Sequence, residues 1–146
     1  MPLEVLEVVE LHADGACARN PGPGSWAVAM VCHKEGKPYK KTFTGYVPDT
    51  TTNRMEMTAV IEGFKTLKRP VQVTVFSDSL YVIYTMTKGW RRGANTDLWK
   101  QIDKVIVPHK VSWEWIKRHN GNFYNDLVDS ICCETLKAHG QKDFYK

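Results

Sequence analysis

The sequence predicts an α/β fold built on a five-stranded mixed sheet with helices on both faces, and three observations predict it. Short apolar stretches at 3–13, 25–33 and 39–47 follow one another with only turn residues between them. From residue 51 onward, stretches of helical periodicity alternate with two more apolar runs, 71–78 and 111–119. Three strands in a row and then helix–strand alternation give an antiparallel meander continued by parallel strands, because crossover helices join parallel neighbours.

Each element follows from its own residues. Residues 3–13 are rich in Val and Leu with interspersed Glu and read as a strand ending at Asp14-Gly15; ARNPGPGS then supplies a loop. SWAVAMVCH (25–33) and YKKTFTGYV (39–47) form a hairpin through KEGKP. A helix is expected over 51–68, started by Asn53 or a neighbouring threonine, with Met57, Val60, Ile61, Phe64 and Leu67 at the spacing of a buried stripe. VQVTVFSD (71–78) is a strand, SLYVIYTMTK (79–88) a helix and GWRRGANT a loop. DLWKQIDKVI is a helix, VSWEWIKRH (111–119) a strand, and NDLVDSICCETLKAH a last helix. Trp26, Trp113, Trp115 and Trp99 are expected in the core or at its edge.

The 146 residues, 42% of them hydrophobic, fit a single domain, placed at 1–139, with a flexible tail at 140–146. A formal charge of +4 permits a polyanionic partner without demanding one. Cys17, Cys32, Cys132 and Cys133 lack the spacing of a zinc site and read as free thiols of a reducing compartment. Glutamates stand where a signal peptide carries positive charge, and no apolar run approaches the ~20 residues that span a bilayer. A cytoplasmic, monomeric protein with no membrane contact and no obligate protein partner is expected.

Four acidic residues are out of place for one reason. Asp14 and Asp78 close apolar strands, Glu56 borders the buried stripe of its helix, and Asp129 lies in the first turns of the last helix. Parallel strands in an open sheet put ligand sites beyond their carboxyl ends, where Asp14, Asp78 and His119 are expected. Clustered carboxylates repel one another until a hard cation neutralises them, and all-oxygen ligation favours Mg²⁺ or Mn²⁺. Taken singly each residue has a plainer reading: Asp14-Gly15 as a turn, Glu56 as partner of Arg54, Asp78 or Asp129 as helix-start acids, His119 as a surface histidine.

The runs DGACARNPGPGSWA (14–27), TTNRMEMTAVIEGF (51–64), SDSLYV (77–82), NTDLW (95–99) and WEWIKRHNGNFYNDLVD (113–129) together resemble type 1 ribonuclease H, the ribonuclease HI family, in the family's own order. The resemblance implies a ribonuclease H-like fold and an endonuclease that hydrolyses the RNA strand of RNA/DNA hybrids with two Mg²⁺ ions, Mn²⁺ being a possible substitute, leaving 5′-phosphate and 3′-hydroxyl ends. By motif, Asp14, Glu56, Asp78 and Asp129 match the metal-site carboxylates and His119 the mobile-loop histidine. Asn20, Thr51, Thr52, Asn53 and Asn125 match positions that contact the hybrid, and Trp90, Arg91 and Arg92 in KGWRRG are the candidates for holding the DNA strand.

The long basic protrusion of many bacterial members is absent, Leu80 replaces a polar residue, and Arg118 precedes the histidine where glycine is usual. Two alternatives stand beside the nuclease: a non-catalytic hybrid-binding module, and a relative on the same fold such as a resolvase, an integrase or the ribonuclease H region of a reverse transcriptase.

Overall fold

The computed structural model describes residues 7–34 and 36–141. In chain order these form β1 (Val8–Cys17), β2 (Gly22–Lys34), β3 (Lys37–Thr50), α1 (Thr52–Lys65), β4 (Gln72–Ser77), α2 (Leu80–Lys88), α3 (Thr96–Val105), β5 (Lys110–Trp115) and α4 (Phe123–Ala138). The strands make one sheet in the order β3-β2-β1-β4-β5. Pairing is antiparallel from β1 to β2 and β2 to β3, and parallel from β1 to β4 and β4 to β5, which is the mixed sheet the order of elements predicts. Residues 3–6 of the expected first strand, Glu35 of the hairpin connection and 142–146 of the expected tail lie outside the described residues.

Side chains alternate across a strand, so β1 feeds two cores. Val9, Leu11 and Ala13 meet Met57, Val60, Ile61 and Phe64 of α1, with Val82, Trp99 and Ile102 from α2 and α3 completing that layer. Ala16, Ala27 and Ala29 meet Val128, Cys132 and Leu136 of α4 on the other side. The small alanines bring α4 close to the sheet, and Ser25 fixes it by donating its hydroxyl to the Cys132 carbonyl at 2.8 Å. Among the described residues no helix is long and apolar enough to cross a membrane.

α1 is capped by Thr51, whose hydroxyl accepts from the Arg54 N–H at 3.2 Å, and it ends three residues short of the expected 68, at Lys65 with Thr66 as C-cap. Three further boundaries differ from those read in the sequence. β1 does not turn at Asp14-Gly15 but runs on to Cys17, with Asp14 paired to Ala27 and Gly15 to Trp26. β2 begins inside the Pro/Gly-rich stretch at Gly22; a shift of register between Gly22 and Gly24 absorbs the irregularity, and the Ala18 N–H closes the loop on the Pro23 carbonyl at 2.8 Å. β5 stops at Trp115, because β4 ends at Ser77 and has no further residue to pair with it.

Gly15 explains why a turn dipeptide can sit within a strand. A β-carbon there would press on the Glu56 backbone nitrogen and come within 2.8 Å of Met55 Cβ, so glycine lets the first turns of α1 lie directly on β1. Gly15→Ala is expected to cost about 3 kcal/mol or more of stability by urea unfolding, since the obstacle is backbone. Gly93→Ala, where a β-carbon meets nothing within 4 Å, should change stability by less than ~0.5 kcal/mol.

Candidate active site

Strand register sets the first two acids. The parallel ladder of β1 on β4 ends with His12 paired to Phe76; two residues further along the chain stand Asp14, still in β1, and Asp78, the residue just beyond β4. His12 secures this corner: its ring stacks on Phe76 with centroids 4.6 Å apart, lies 4.6 Å from the Tyr124 ring of α4, and shares a 2.8 Å hydrogen bond with Glu10. Glu56, on the second turn of α1, is carried to the same place by the close approach at Gly15.

The result is a set of three carboxylates from three elements. Asp14, Glu56 and Asp78 each offer an oxygen within 4.8 Å of the others. Asp14 is 0% exposed and Glu56 4%. Glu56 Oε2 is shut from solvent without a hydrogen-bond partner among the described residues. Burial, and after it the charge of Asp78, pushes the Glu56 carboxyl well above its ordinary range, against the pull of the Gly15 N–H and Arg118. Asp78 is raised chiefly by burial, opposed by Asn125 and Arg118. Asp129 on α4 is also raised by burial, opposed by Arg118 and His119. Asp129 is outside the three-carboxylate set but near enough to act on both Glu56 and Asp78.

Buried oxygens at this spacing, one of them lacking a donor, suit a hard divalent cation: the charge that pushes them apart is what such an ion supplies. The plainer readings of Asp78, Glu56 and Asp129 do not hold, whereas His119 is exposed as a surface histidine would be. Ser79, not Asp78, caps α2, its hydroxyl accepting from the Val82 N–H at 3.1 Å. Arg54 pairs with Asp97 at 2.7 Å rather than with Glu56. Asp126, not Asp129, is the acid in the first turn of α4.

The other expected residues divide. A cavity of ≈ 360 Å³ is lined by Glu56 and Asp78 together with Thr52, Asn53, Leu80 and Arg118. Asn20 is joined to it through Thr52, its Oδ1 accepting from the N–H of that lining residue at 3.2 Å, while Thr51 is occupied as the α1 cap. Asn125 is buried and its Nδ2 points to Asp78 Oδ2 at 3.4 Å, so it steadies an acid. His119 is not at the end of β5 but in the turn beyond it, at φ 56°, where its Nε2 accepts from Arg118 Nε at 3.2 Å. Trp90 and Arg91 are exposed on the loop after α2 and do not line the cavity. Arg92 is engaged elsewhere, bonded to Asp103 at 2.6 Å and lying 5.0 Å from the Trp99 ring centroid.

Two residues that position the site were missed. Trp115, expected in or near the core, is 40% exposed and donates its indole N–H to the Asp78 carbonyl at 3.2 Å. Cys132, read as a free thiol, directs that thiol at the Asp14 carbonyl at 3.6 Å. Both bonds join residues far apart in the chain, and local pattern carries no signal for them.

A family model, RNase H, matches residues 7–137. The chain is 41% identical to the ribonuclease H of Caldanaerobacter subterraneus subsp. tengcongensis, over 91% of this chain and 94% of that protein. Among solved structures it is similar to LC9-RNase H1, a type 1 RNase H with the type 2 active-site motif: 26% identity, TM-score 0.81, covering 97% of this chain and 76% of that one. LC11-RNase H1, solved in complex with an RNA/DNA hybrid, shares the fold at TM-score 0.70 and 19% identity, covering 88% of this chain and 99% of that one.

The raised carboxylates set a direction for stability in the absence of metal. A carboxyl whose folded pKa lies above its unfolded value favours folding fully below the unfolded value, ~4.3 for glutamate, and loses that contribution as pH rises through the folded pKa. The metal-free protein should therefore melt progressively lower as pH rises from 4 toward neutrality. Glu56→Gln should flatten that fall, and Mg²⁺ should reverse it in the wild type, both read from melting temperatures in EDTA and in Mg²⁺.

Proposed function

Because this chain belongs to the ribonuclease H family, we propose that it is an endonuclease that hydrolyses the RNA strand of RNA/DNA hybrids by a metal-dependent mechanism, leaving 5′-phosphate and 3′-hydroxyl ends. The observation that carries this is the triad of Asp14, Glu56 and Asp78, the first two buried, with oxygens brought within 4.8 Å from a strand, a helix and the residue just beyond a second strand. With Asp129 alongside, these acids would hold two divalent cations, Mg²⁺ or in its place Mn²⁺. When bound, such a pair supplies an activated water and stabilisation of the departing 3′ oxygen.

The chain's own residues supply the rest. Asn125 and Trp115 hold Asp78 through its side chain and its carbonyl, so its carboxylate faces the cavity in one orientation. Thr52, Asn53 and Asn20, at the start of α1 and on the loop before β2, present short polar groups at the cavity rim. Groups of that kind suit the 2′-hydroxyls of an A-like minor groove, where base sequence is hard to read. Thr51, whose hydroxyl is taken up in capping α1, would meet a phosphate of the DNA strand with its backbone. His119, with Nε2 accepting from Arg118, carries its neutral-form proton on Nδ1 and can pass a proton at the open side of the cleft. Trp90 and Arg91 on their exposed loop would meet the DNA strand, and Arg92 would act there only by leaving Asp103. The catalytic unit is the single domain 1–139.

Cleavage of an end-labelled RNA/DNA hybrid, with RNA/RNA and DNA/DNA controls, in Mg²⁺, in Mn²⁺ and in EDTA tests the proposal. Metal-dependent cutting of the hybrid's RNA strand alone is expected; no cutting in either metal with hybrid binding intact would instead indicate a binding module. Asp14→Asn should lower turnover at least ~10²-fold while hybrid binding survives, the scale of losing one electrostatic stabiliser. Arg91→Ala should weaken binding and reduce the salt slope by about one, whereas Arg92→Ala should do less because its charge is already paired.

A further inference from the structure

Arg118 stands between β5 and His119, at a position where the family resemblance leads one to expect glycine. A long cation in place of no side chain at all, beside a metal-type carboxylate cluster, needs a physical account. Its side chain lines the same cavity as Glu56 and Asp78. Its Nε is committed, donating to His119 Nε2 at 3.2 Å, and this bond orients the plane of the guanidinium. Its Nη2 is shut from solvent and has no hydrogen-bond partner among the described residues.

A guanidinium is a rigid fork of five N–H donors, so anchoring one edge determines where the other points. A buried donor without an acceptor is costly, and a site that keeps one is completed by what enters it. The acceptors already near it, Glu56, Asp78 and Asp129, feel its charge, yet their oxygens are the ones a cation requires. The remaining acceptor that the reaction brings to this cavity is the phosphodiester itself, whose non-bridging oxygens are strong acceptors for a guanidinium.

We propose that Arg118 is a further catalytic residue whose free Nη2 donates to a non-bridging oxygen of the phosphodiester being cut. This rests on the hydrolase reading above and adds a contact that glycine at this position cannot make. Charge on the non-bridging oxygens is what such a donor stabilises, so the contact should be worth more in the transition state than in the bound ground state.

Hybrid cleavage in Mg²⁺ tests it with Arg118→Ala, Arg118→Lys and the double variant with His119→Ala, each checked for a native melting temperature. Arg118→Ala should lower kcat roughly 10–100-fold with KM changed less than about threefold. Arg118→Lys, which keeps charge without the fork, should recover part of the loss. The double variant should be slower than His119→Ala, though by less than the full Arg118→Ala factor because the two side chains share a hydrogen bond. Hybrid affinity with Ca²⁺ in place of Mg²⁺, read by fluorescence anisotropy, should stay within about threefold of wild type in Arg118→Ala, in line with KM.

A double variant no slower than His119→Ala would overturn the proposal in favour of a residue that only holds the histidine. An Arg118→Ala enzyme with unchanged kcat that reaches half-maximal rate at lower Mg²⁺ would overturn it in favour of simple screening of the carboxylates. Should Arg118→Ala fail to fold, Arg118→Lys carries the test, full wild-type kcat in that variant overturning the forked contact. Wild-type protein that cuts no hybrid would sink the hydrolase reading first; wild-type cutting matched by Arg118→Ala would sink this inference alone.

Discussion

The close approach of α1 to β1 at Gly15 is the constraint on which the rest of the site depends. It carries the Glu56 backbone onto the central strand of the sheet, where the parallel pairing of β1 and β4 has already set Asp14 and Asp78 side by side just past its last rung. None of the three acids is placed by a flexible loop: two belong to adjacent parallel strands or the residue just beyond them, and the third to a helix capped at Thr51. Such a site is held by the fold as a whole, and its geometry is as stiff as the core that backs it.

That stiffness works against the electrostatics. Three carboxylates held close with little water are a standing strain on the metal-free protein, and the raised pKa values of Glu56 and Asp78 express it. The chain offsets part of this with groups from every side: the Gly15 N–H on Glu56, the Asn125 amide on Asp78, and the Arg118 guanidinium facing Glu56, Asp78 and Asp129. α4 is central to the arrangement. It brings Asn125 and Asp129, and it is fastened by Ser25, by the alanine-floored second core and by Tyr124 against His12.

The order of elements and the mixed sheet were legible in the sequence because each depends on local pattern, and three of the four acids that stood out there, Asp14, Glu56 and Asp78, come together in the fold. Period-two and helical runs separated the elements, and polar acids ending apolar runs marked themselves. Boundaries failed where one residue type serves two purposes. Asp14-Gly15 reads as a turn because glycine there frees the backbone; in the fold it instead removes a side chain beneath a helix. His119 reads as a strand end because no Gly or Pro interrupts WEWIKRH before it, but a strand lasts only as long as its partner, and β4 ends at Ser77. Trp115 on Asp78 and Cys132 on Asp14 are contacts between distant segments, which no window along the chain contains, and the commitment of Arg92 to Asp103 depends on how the loop after α2 folds back on α3.

The sheet order leaves β3 as a long outer strand of 14 residues, a length at which unpaired backbone groups invite another chain to add on. β3 carries Lys37, Lys40 and Lys41 and the prolines Pro38 and Pro48, which are the residues that deter edge-to-edge pairing. Part of the positive charge that reads in composition as an attraction to polyanions is thus placed where it protects the protein from aggregating with its own copies. Neutralising those lysines would trade solubility at high concentration for nothing the carboxylate cleft requires.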